Sequence, residues 1–307
     1  MKTSPVTPGD LENSVVSVPP LAWTTDQRIA DKPNRAIVRR LDAGGVKTYL
    51  YGGNANVQNL PTSDFGALLD AMKEWAPANA WMLPSIGPDF GKGLDQARVA
   101  HGRGFPALMT LPAGNAVTHA GLATGMRRLS DAAGVPLVGY VRSANYMPSA
   151  NMKELVADGV LCAVKYAVED HDPSDDPYLA AICDAIGPDL VVSGMGERPA
   201  LTHMRHYHIA GFTSGAICLA PELSMRMLVL AKSGDFMSAE AVREVFVPLE
   251  DLRERIGPVP VLHAVMELSG IAQMGPLQPF QAPVDASHLA EIKAVGDKLV
   301  RSGANAN

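Results

Sequence analysis

The segments VPLVGYV at 135–141 and VLCAVKY at 160–166 decide the fold, because each is a short apolar run that begins directly after a glycine. Strands that are apolar on both faces are typical of a parallel sheet covered by helices. The stretch 149–157 between them is predicted to be helical, so the pair forms a strand–helix–strand unit. Six further apolar runs, each followed by an amphipathic stretch, extend the pattern in both directions: 15–18, 47–51, 80–86, 106–111, 189–194 and 211–217.

The repeated units indicate a closed barrel of parallel strands. Eight β/α units in about 220 residues favour an α/β fold of the (β/α)8 TIM-barrel type over an open doubly wound sheet. An open nucleotide-binding sheet would place a G-x-G-x-x-G motif after the first strand, and the sequence has none there. We therefore predict a barrel over 12–233, a C-terminal helical extension over 234–302, and flexible tails at 1–11 and 303–307.

Composition and charge limit the classes of function. The 307 residues are 47% hydrophobic and 19% charged, which supplies a core and excludes general disorder. Lys+Arg number 26 and Asp+Glu 32, and the net charge of −6 argues against nucleic acid as a partner. The cysteines number three, the first ten residues contain no apolar signal region, and no stretch approaches about 20 apolar residues. We therefore expect a cytoplasmic enzyme with no membrane partner.

Lys165 is the first candidate catalytic residue, because catalytic groups of a (β/α)8 barrel lie at the C-terminal ends of its strands. It closes the apolar run VLCAV, so its side chain points either into the barrel mouth or outward under the helices. In the mouth, loss of hydration would favour the neutral amine, and a neutral amine attacks a carbonyl to form a Schiff base. The alternative is a lysine whose amine reaches solvent past an apolar stem.

Tyr140 is the second candidate, because it ends the preceding strand and is predicted to lie beside Lys165. A phenol next to a Schiff-base lysine can carry protons to and from the carbinolamine and the bond that breaks. The alternative is an aromatic ring that fills the mouth, with its hydroxyl bonded to the backbone. The pairing with Lys165 favours the catalytic interpretation.

Together with these two residues, five segments make the chain resemble the dihydrodipicolinate synthase / N-acetylneuraminate lyase family of class I aldolases. They are YGGNANVQNL at 51–60, GYV at 139–141, AVKYAVED at 163–170, VVSGMGE at 191–197 and AGFTSGAI at 210–217. The resemblance extends over roughly residues 12 to 300, which is nearly the whole chain.

The resemblance implies a barrel with a helical extension and a lysine, at the position of Lys165, that forms an imine with pyruvate or another 2-oxo acid. It implies an acid/base role for Tyr140. It implies no cofactor, because a covalent imine to Lys165 is used instead of one. The partners it implies are a small-molecule 2-oxo acid and further copies of the chain, as a dimer or a tetramer.

The turn after the second strand departs from the family's G-T-T-G-E pattern. It reads Gly52-Gly53-Asn54-Ala55-Asn56, so both hydroxyls and the glutamate are absent. The turn can still bind a carboxylate through backbone N–H groups, with the Asn54 side chain as an extra donor. The synthase's tyrosine pair after strand four and its arginine after the strand-five tyrosine are also missing. We therefore do not expect a true dihydrodipicolinate synthase, whereas lyase or dehydratase chemistry is retained.

Residues after strands seven and eight are predicted to face the distal part of the substrate. Gly194 ends strand seven, Glu197 and Arg198 follow it, and Ser214 ends strand eight. In this interpretation Arg198 clamps a carboxylate and Glu197 bonds to hydroxyls. The alternative places Glu197 near a helix N-terminus, where its charge is favourable, and Arg198 on the surface.

The acidic run at 169–176 raises the question of a metal site, because carboxylates and a histidine can bind a divalent cation. Such a run is more typical of a solvated loop followed by a helix cap. His203, His206 and His208 have ligand-like spacing, but His208 is rotated away from the other two on a helix and no H-E-x-x-H motif is present. We therefore expect no metal.

Three functional hypotheses follow. The first is a Schiff-base lyase, either an aldolase or a dehydratase, acting on a 2-oxo acid. The second is a barrel that binds a small carboxylic acid without catalysis, which the departures in the turn motivate. The third is a metal-dependent barrel enzyme that uses the 169–176 loop.

Overall fold

The computed structural model describes residues 1–114, 117–169, 172–277 and 279–305. Parallel strands close into one barrel in chain order, and the last strand pairs with the first. The predicted (β/α)8 TIM barrel is therefore confirmed. The strands are β1 (Val16–Ser17), β2 (Thr48–Tyr51), β3 (Trp81–Ile86), β4 (Leu108–Thr110), β5 (Leu137–Val141), β6 (Leu161–Tyr166), β7 (Val191–Ser193) and β8 (Gly211–Ser214).

Helices alternate with the strands and cover the outside of the barrel. Local chemistry fixes their ends: Thr118 accepts a hydrogen bond from Gly121 N–H at the start of one helix, and Gly134 ends the same helix in the left-handed conformation, at φ 69°. The barrel helices are α1 (Pro8–Glu12), α2 (Asp31–Ala43), α3 (Thr62–Trp75), α4 (Phe90–Ala100), α5 (His119–Ala133), α6 (Ser149–Ala157), α7 (Pro177–Ile186), α8 (Ala200–Tyr207) and α9 (Pro221–Lys232).

The C-terminal part is helical, as expected. It contains α10 (Phe236–Ile256), α11 (Pro258–Leu268) and α12 (Leu289–Ala304). The long helix α10 packs against α8 and α9, and α12 also contacts α9, so the extension covers the barrel beside its last two β/α units. Within the described ranges, no helix is both long and apolar enough to cross a membrane.

The first residues are more structured than a flexible tail at 1–11 would be. Helix α1 begins at Pro8, and Leu11 is buried among the side chains of the barrel interior. The Lys2 amine forms an ion pair with Asp10 at 3.0 Å, and the Lys2 N–H donates to the Ala80 carbonyl. The segment therefore closes the N-terminal end of the barrel. The division into domains at 12–233 and 234–302 stays a prediction.

The barrel interior is packed in layers of side chains from alternate strands, as the pairing registers require. A central apolar layer supports the mouth, and each fully buried valine or leucine in it contributes roughly 1.5–3 kcal/mol. The central layer is Val16, Leu83, Val138 and Val192, the next is Leu50, Met109, Lys165 and Thr213, and the one above it is Val18, Ser85, Tyr140 and Gly194.

Candidate active site

Lys165 lies inside the barrel mouth, at the C-terminal end of β6. Ala163, two residues earlier on the same strand, belongs to the interior cluster, so the alternation of a strand points Lys165 the same way. Lys165 is only 6% exposed. Of the two orientations considered from the sequence, the structure therefore has the one in which the side chain points into the barrel mouth.

Tyr140 lies directly beside Lys165. The two residues are register partners on β5 and β6, and the Lys165 amine lies 3.8 Å from the centroid of the Tyr140 ring. A cation over a ring face is attracted by the ring quadrupole. Burial acts to raise the pKa of Tyr140, but the positive charges of Lys165 and Arg142 outweigh it, so the pKa of this phenol lies below its ordinary value. The pair can therefore exchange protons with a ligand in the mouth.

Gly194 borders Lys165 on the β7 side. A Cβ added at Gly194 would lie 2.8 Å from both the Ala167 Cβ and the Tyr166 carbonyl oxygen, and 3.1 Å from the Lys165 Cγ. The absence of a side chain at this position therefore allows the lysine stem to lie where it does. Gly194 contributes to the site by close approach of its backbone.

The turn after β2 carries backbone donors without protein acceptors. The Asn56 N–H donates to the Gly53 carbonyl and the Val57 N–H to the Gly52 carbonyl, which closes the turn. In the part of the chain that the structure describes, the N–H groups of Gly53, Asn54 and Ala55 donate to no protein acceptor. Successive unpaired N–H groups of this kind form a concave anion-binding surface.

The Asn54 side chain does not extend this surface, contrary to the expectation from the sequence. Its amide nitrogen donates to the Val18 carbonyl at 2.8 Å, and its oxygen accepts from the Arg253 guanidinium at 3.2 Å. Arg253 is buried and forms an ion pair with Glu250 at 2.9 Å. Asn54 therefore anchors the turn to β1 and to α10, and the turn's own donors are backbone groups.

Glu197 and Ser214 lie outside the mouth, which corrects their predicted contact with substrate hydroxyls. Both are buried, and the Ser214 hydroxyl donates to Glu197 Oε1 at 2.5 Å. The Ser224 hydroxyl of α9 donates to the same oxygen at 2.9 Å. Burial, reinforced by the negative charge of Glu250, raises the pKa of Glu197 to about 7. These residues therefore form a polar cluster behind β8.

Arg198 is also placed differently from its predicted role as a carboxylate clamp. Its guanidinium forms ion pairs with Asp251 and Glu254 of α10, and the side chain is 41% exposed. The surface alternative considered for Arg198 is the one observed. An arginine already bonded to two carboxylates has few donors left for a ligand.

The histidines have separate structural positions. His203 is buried, and its Nδ1 lies 2.9 Å from the Ser193 hydroxyl, whereas His206 and His208 are exposed. Burial lowers the pKa of His203 to about 4, and Asp176 opposes the shift only in part. His203 and His206 lie on α8, and His208 follows its last residue.

The acidic run at 169–176 is described except for Asp170 and His171, which lie outside the described residues. Asp172 accepts from Ser174, and Asp176 caps α7 and accepts from the Tyr166 hydroxyl. Among the described residues, no three His, Cys, Asp or Glu side chains are gathered as a metal site would need. Asp172 and Asp176 of this run therefore act as a hydrogen-bond acceptor and a helix cap.

Two residues near the site were not identified from the sequence. The Tyr146 hydroxyl, after β5, accepts from the Ala113 N–H at 3.1 Å and so ties the loop after β4 to its neighbour. Ser85 of β3 lies in the same interior layer as Tyr140 and Gly194. The alternation of WMLPSI over 81–86 is the signal that could have identified Ser85, because Trp81 and Leu83 are interior.

Comparison with known proteins shows which solved structures share this fold. No protein-family model and no curated protein sequence matches the chain. Dihydrodipicolinate synthase from Oceanobacillus iheyensis is similar in structure, with a TM-score of 0.81 and 20% identity, covering 97% of this chain and 100% of that one. Ruminococcus gnavus sialic acid aldolase has a TM-score of 0.83 and 14% identity over 97% and 100%.

YagE, a prophage protein of the dihydrodipicolinic acid synthase family from E. coli K12, is similar as well. Its structure, in complex with pyruvate, has a TM-score of 0.80 and 16% identity, covering 93% of this chain and 98% of that one. The resemblance to the family that the sequence indicated is therefore confirmed in the fold, at identities typical of a divergent chain.

Proposed function

We propose that this barrel, which has the fold of the dihydrodipicolinate synthase and N-acetylneuraminate lyase family, is a Schiff-base-forming lyase acting on pyruvate or another 2-oxo acid. The observation that carries the proposal is the Lys165 amine, buried in the barrel mouth over the Tyr140 ring. The similar YagE is in complex with pyruvate, and a further structure of the Ruminococcus gnavus aldolase has its catalytic lysine mutated. Both findings support a lysine and a 2-oxo acid here.

The first step is imine formation. The neutral amine of Lys165 attacks the 2-oxo carbon, the nitrogen loses a proton and the oxygen gains one, which gives a carbinolamine. Loss of the hydroxyl as water then gives the imine. Tyr140 lies close enough to give a proton to the departing hydroxyl and to take one back afterwards. A phenol with a lowered pKa makes this exchange easier near neutral pH.

The second step uses the protonated imine as an electron sink. In an aldolase reaction the bond between C3 and C4 of the oxo acid breaks, and its electron pair forms an enamine with C2. The C4 hydroxyl loses its proton in the same step, and Tyr140 is the acid/base of the site nearest to the lysine. Protonation of the enamine and hydrolysis of the imine then release pyruvate and restore the free amine.

The carboxylate of the oxo acid is assigned to the turn after β2. The free N–H groups of Gly53, Asn54 and Ala55 supply the donors, and Asn54 holds the turn in place through Val18 and Arg253. Gly194 leaves the space that the Lys165 stem needs. This arrangement requires no cofactor. A cytoplasmic location and a homo-oligomeric state stay predictions.

The test is reductive trapping. Incubation with pyruvate and borohydride, followed by peptide mass spectrometry, should place one reduced pyruvate on Lys165. Lys165→Met should lose the adduct. Lys92 provides a matched control: burial lowers the pKa of this lysine, but its amine donates to the carbonyls of Gln58 and Leu60. Lys92→Met should keep the adduct.

The outcomes separate the three hypotheses. An adduct on Lys92, or none with pyruvate and a panel of longer 2-oxo acids, overturns the proposal. Pyruvate binding without a reducible adduct favours a barrel that binds an acid without catalysis. Loss of activity in EDTA, restored by a divalent cation, favours a metal-dependent enzyme instead.

A further inference from the structure

We infer that the Ser85 hydroxyl binds the carboxylate of the 2-oxo acid and supplies from β3 the hydroxyl that the turn after β2 lacks. The inference rests on the proposed function, because it assigns a second contact to the same ligand. It makes Ser85 a residue that determines the preference for a carboxylate over a neutral ketone.

The position of Ser85 follows from the barrel geometry. Trp81 and Leu83 of β3 point into the barrel, so the alternation of the strand points Ser85 inward as well. The registers place it in the layer of Tyr140, one layer above Lys165. The hydroxyl therefore lies at the height where a ligand on the lysine would be held.

The hydroxyl of Ser85 is unpaired. The residue is 0% exposed, and within the described ranges its Oγ has no hydrogen-bond partner. Two other buried strand serines behave differently: Ser17 donates to the Thr48 carbonyl at 2.8 Å, and Ser193 is bonded to His203 at 2.9 Å. A buried polar group without a partner destabilises a folded protein, so an unpaired hydroxyl in a binding mouth points to a ligand.

The neighbours of Ser85 identify the end of the ligand that it contacts. A Cβ added at Gly52 would lie 2.9 Å from the Ser85 Oγ and 3.1 Å from the Met109 Cε. The hydroxyl therefore lies directly against the first residue of the turn whose Gly53 and Asn54 N–H groups are free. A carboxylate bound by those groups would lie next to the residue that the Ser85 hydroxyl contacts. An O–H donor to a carboxylate forms a strong, charge-assisted bond.

The role of Ser85 is binding and orientation, and no proton is transferred in it. A hydroxyl donor from a second direction, beside the backbone N–H groups of the turn, fixes the plane of the carboxylate. It thereby presents the 2-oxo carbon to the Lys165 amine. In chemical terms, the family's turn hydroxyls are absent at Gly53 and Asn54, and a hydroxyl is present one strand away.

The experiment compares Ser85→Ala with the wild-type chain, using pyruvate and its neutral methyl ester as probes. The apparent dissociation constant comes from the concentration dependence of borohydride trapping on Lys165. For pyruvate it should rise about tenfold or more in the variant, whereas the value for the ester should stay within about twofold. The thermal midpoint should be equal to or above that of the wild-type chain, because an unpaired hydroxyl is removed.

Ser193→Ala is the matched control, because Ser193 is as buried as Ser85 but faces outward and is bonded to His203. It should lower the thermal midpoint and leave pyruvate trapping unchanged. The inference is overturned if Ser85→Ala leaves pyruvate affinity unchanged, or if it weakens pyruvate and the ester equally.

The two proposals can fail separately. If the wild-type chain gives no adduct, the Schiff-base function fails, and calorimetric titration of pyruvate into Lys165→Ala with and without Ser85→Ala tests the serine alone. A tenfold weaker binding in the double variant supports the Ser85 contact. Equal affinities, or no pyruvate binding to either protein, overturn it.

Discussion

Replacing Glu197 by glutamine should stabilise the protein in neutral and alkaline solution and have little effect in acid. Glu197 is 0% exposed, and its Oε1 accepts from the hydroxyls of Ser214 and Ser224. Its Oε2 has no hydrogen-bond partner in the part of the chain that the structure describes. Glutamine keeps the accepting oxygen at nearly the same size, and it cannot ionise.

The magnitude follows from the pKa of Glu197. Burial, and then the charge of Glu250, raise it from 4.5 to about 7. The folded state holds the proton more tightly than the unfolded chain does. The stability linked to this proton is therefore fully present below the pKa of the glutamate in the unfolded chain, 4.5. It is lost as the pH rises through about 7. At 1.36 kcal/mol per pKa unit, the loss approaches about 3 kcal/mol in the free energy of unfolding.

Urea unfolding followed by circular dichroism measures this difference, from about pH 5 to about pH 8.5. The gap between Glu197→Gln and the wild-type chain should be below about 1 kcal/mol at the acidic end and widen to its full value above pH 7. His203, whose pKa burial lowers to about 4, has the opposite pH dependence, but it is present in both proteins and cancels. An exposed glutamate on α6, Glu154→Gln, serves as control. A gap that stays constant with pH would refute the reasoning.

Three further substitutions test the mouth and the anchor of the turn. Tyr140→Phe keeps the ring under the Lys165 amine, so the borohydride adduct should persist, while pyruvate-dependent exchange of methyl protons with deuterium, followed by NMR, falls about 10²–10⁴-fold. Gly194→Ala should cost about 1–3 kcal/mol by urea unfolding and reduce the yield of adduct, because its Cβ would press on the Lys165 stem. Arg253→Ala leaves Glu250 buried without its partner and should cost about 3–5 kcal/mol, part of which Glu250→Gln recovers in the double variant.

Much of the fold was predictable because its signals are local. Each strand is a short apolar run and each barrel helix an amphipathic stretch, so the order of elements can be read along the chain. The helix at 149–157 and the strand at 160–166 were predicted within one residue of the structure. The Tyr140–Lys165 pair was also predictable, because consecutive strands in a barrel are neighbours and each residue lies one position before the end of its strand.

The placement of Ser214 was not predictable from its position at a strand end. Side chains of a strand alternate between faces, so a single residue separates the interior from the outer layer. Phe212 belongs to the outer core cluster, and Ser214, two residues later, points the same way toward α9. Deciding between the faces needs the register with β1, in which Ser214 is the partner of Ser17.

The anchor of the turn could not be found in the sequence for a different reason. Asn54 and Arg253 are 199 residues apart, and no local pattern links them. Their contact depends on where α10 packs against the last β/α units, which is a property of the tertiary structure. In the sequence, Arg253 is one of several charged residues of a helix, and no local pattern marks it as buried.

The position of the β3 serine depends on the glycines of the turn after β2. Ser85 can hold its hydroxyl where it does only because Gly52 has no side chain, since a Cβ there would lie 2.9 Å from the Ser85 Oγ. A turn of glycines that lacks its own hydroxyls would be flexible, and Asn54 removes that freedom by bonding to Val18 and to Arg253. The departures from the family pattern therefore form one consistent arrangement, in which the turn provides fixed backbone donors and the neighbouring strand provides the hydroxyl.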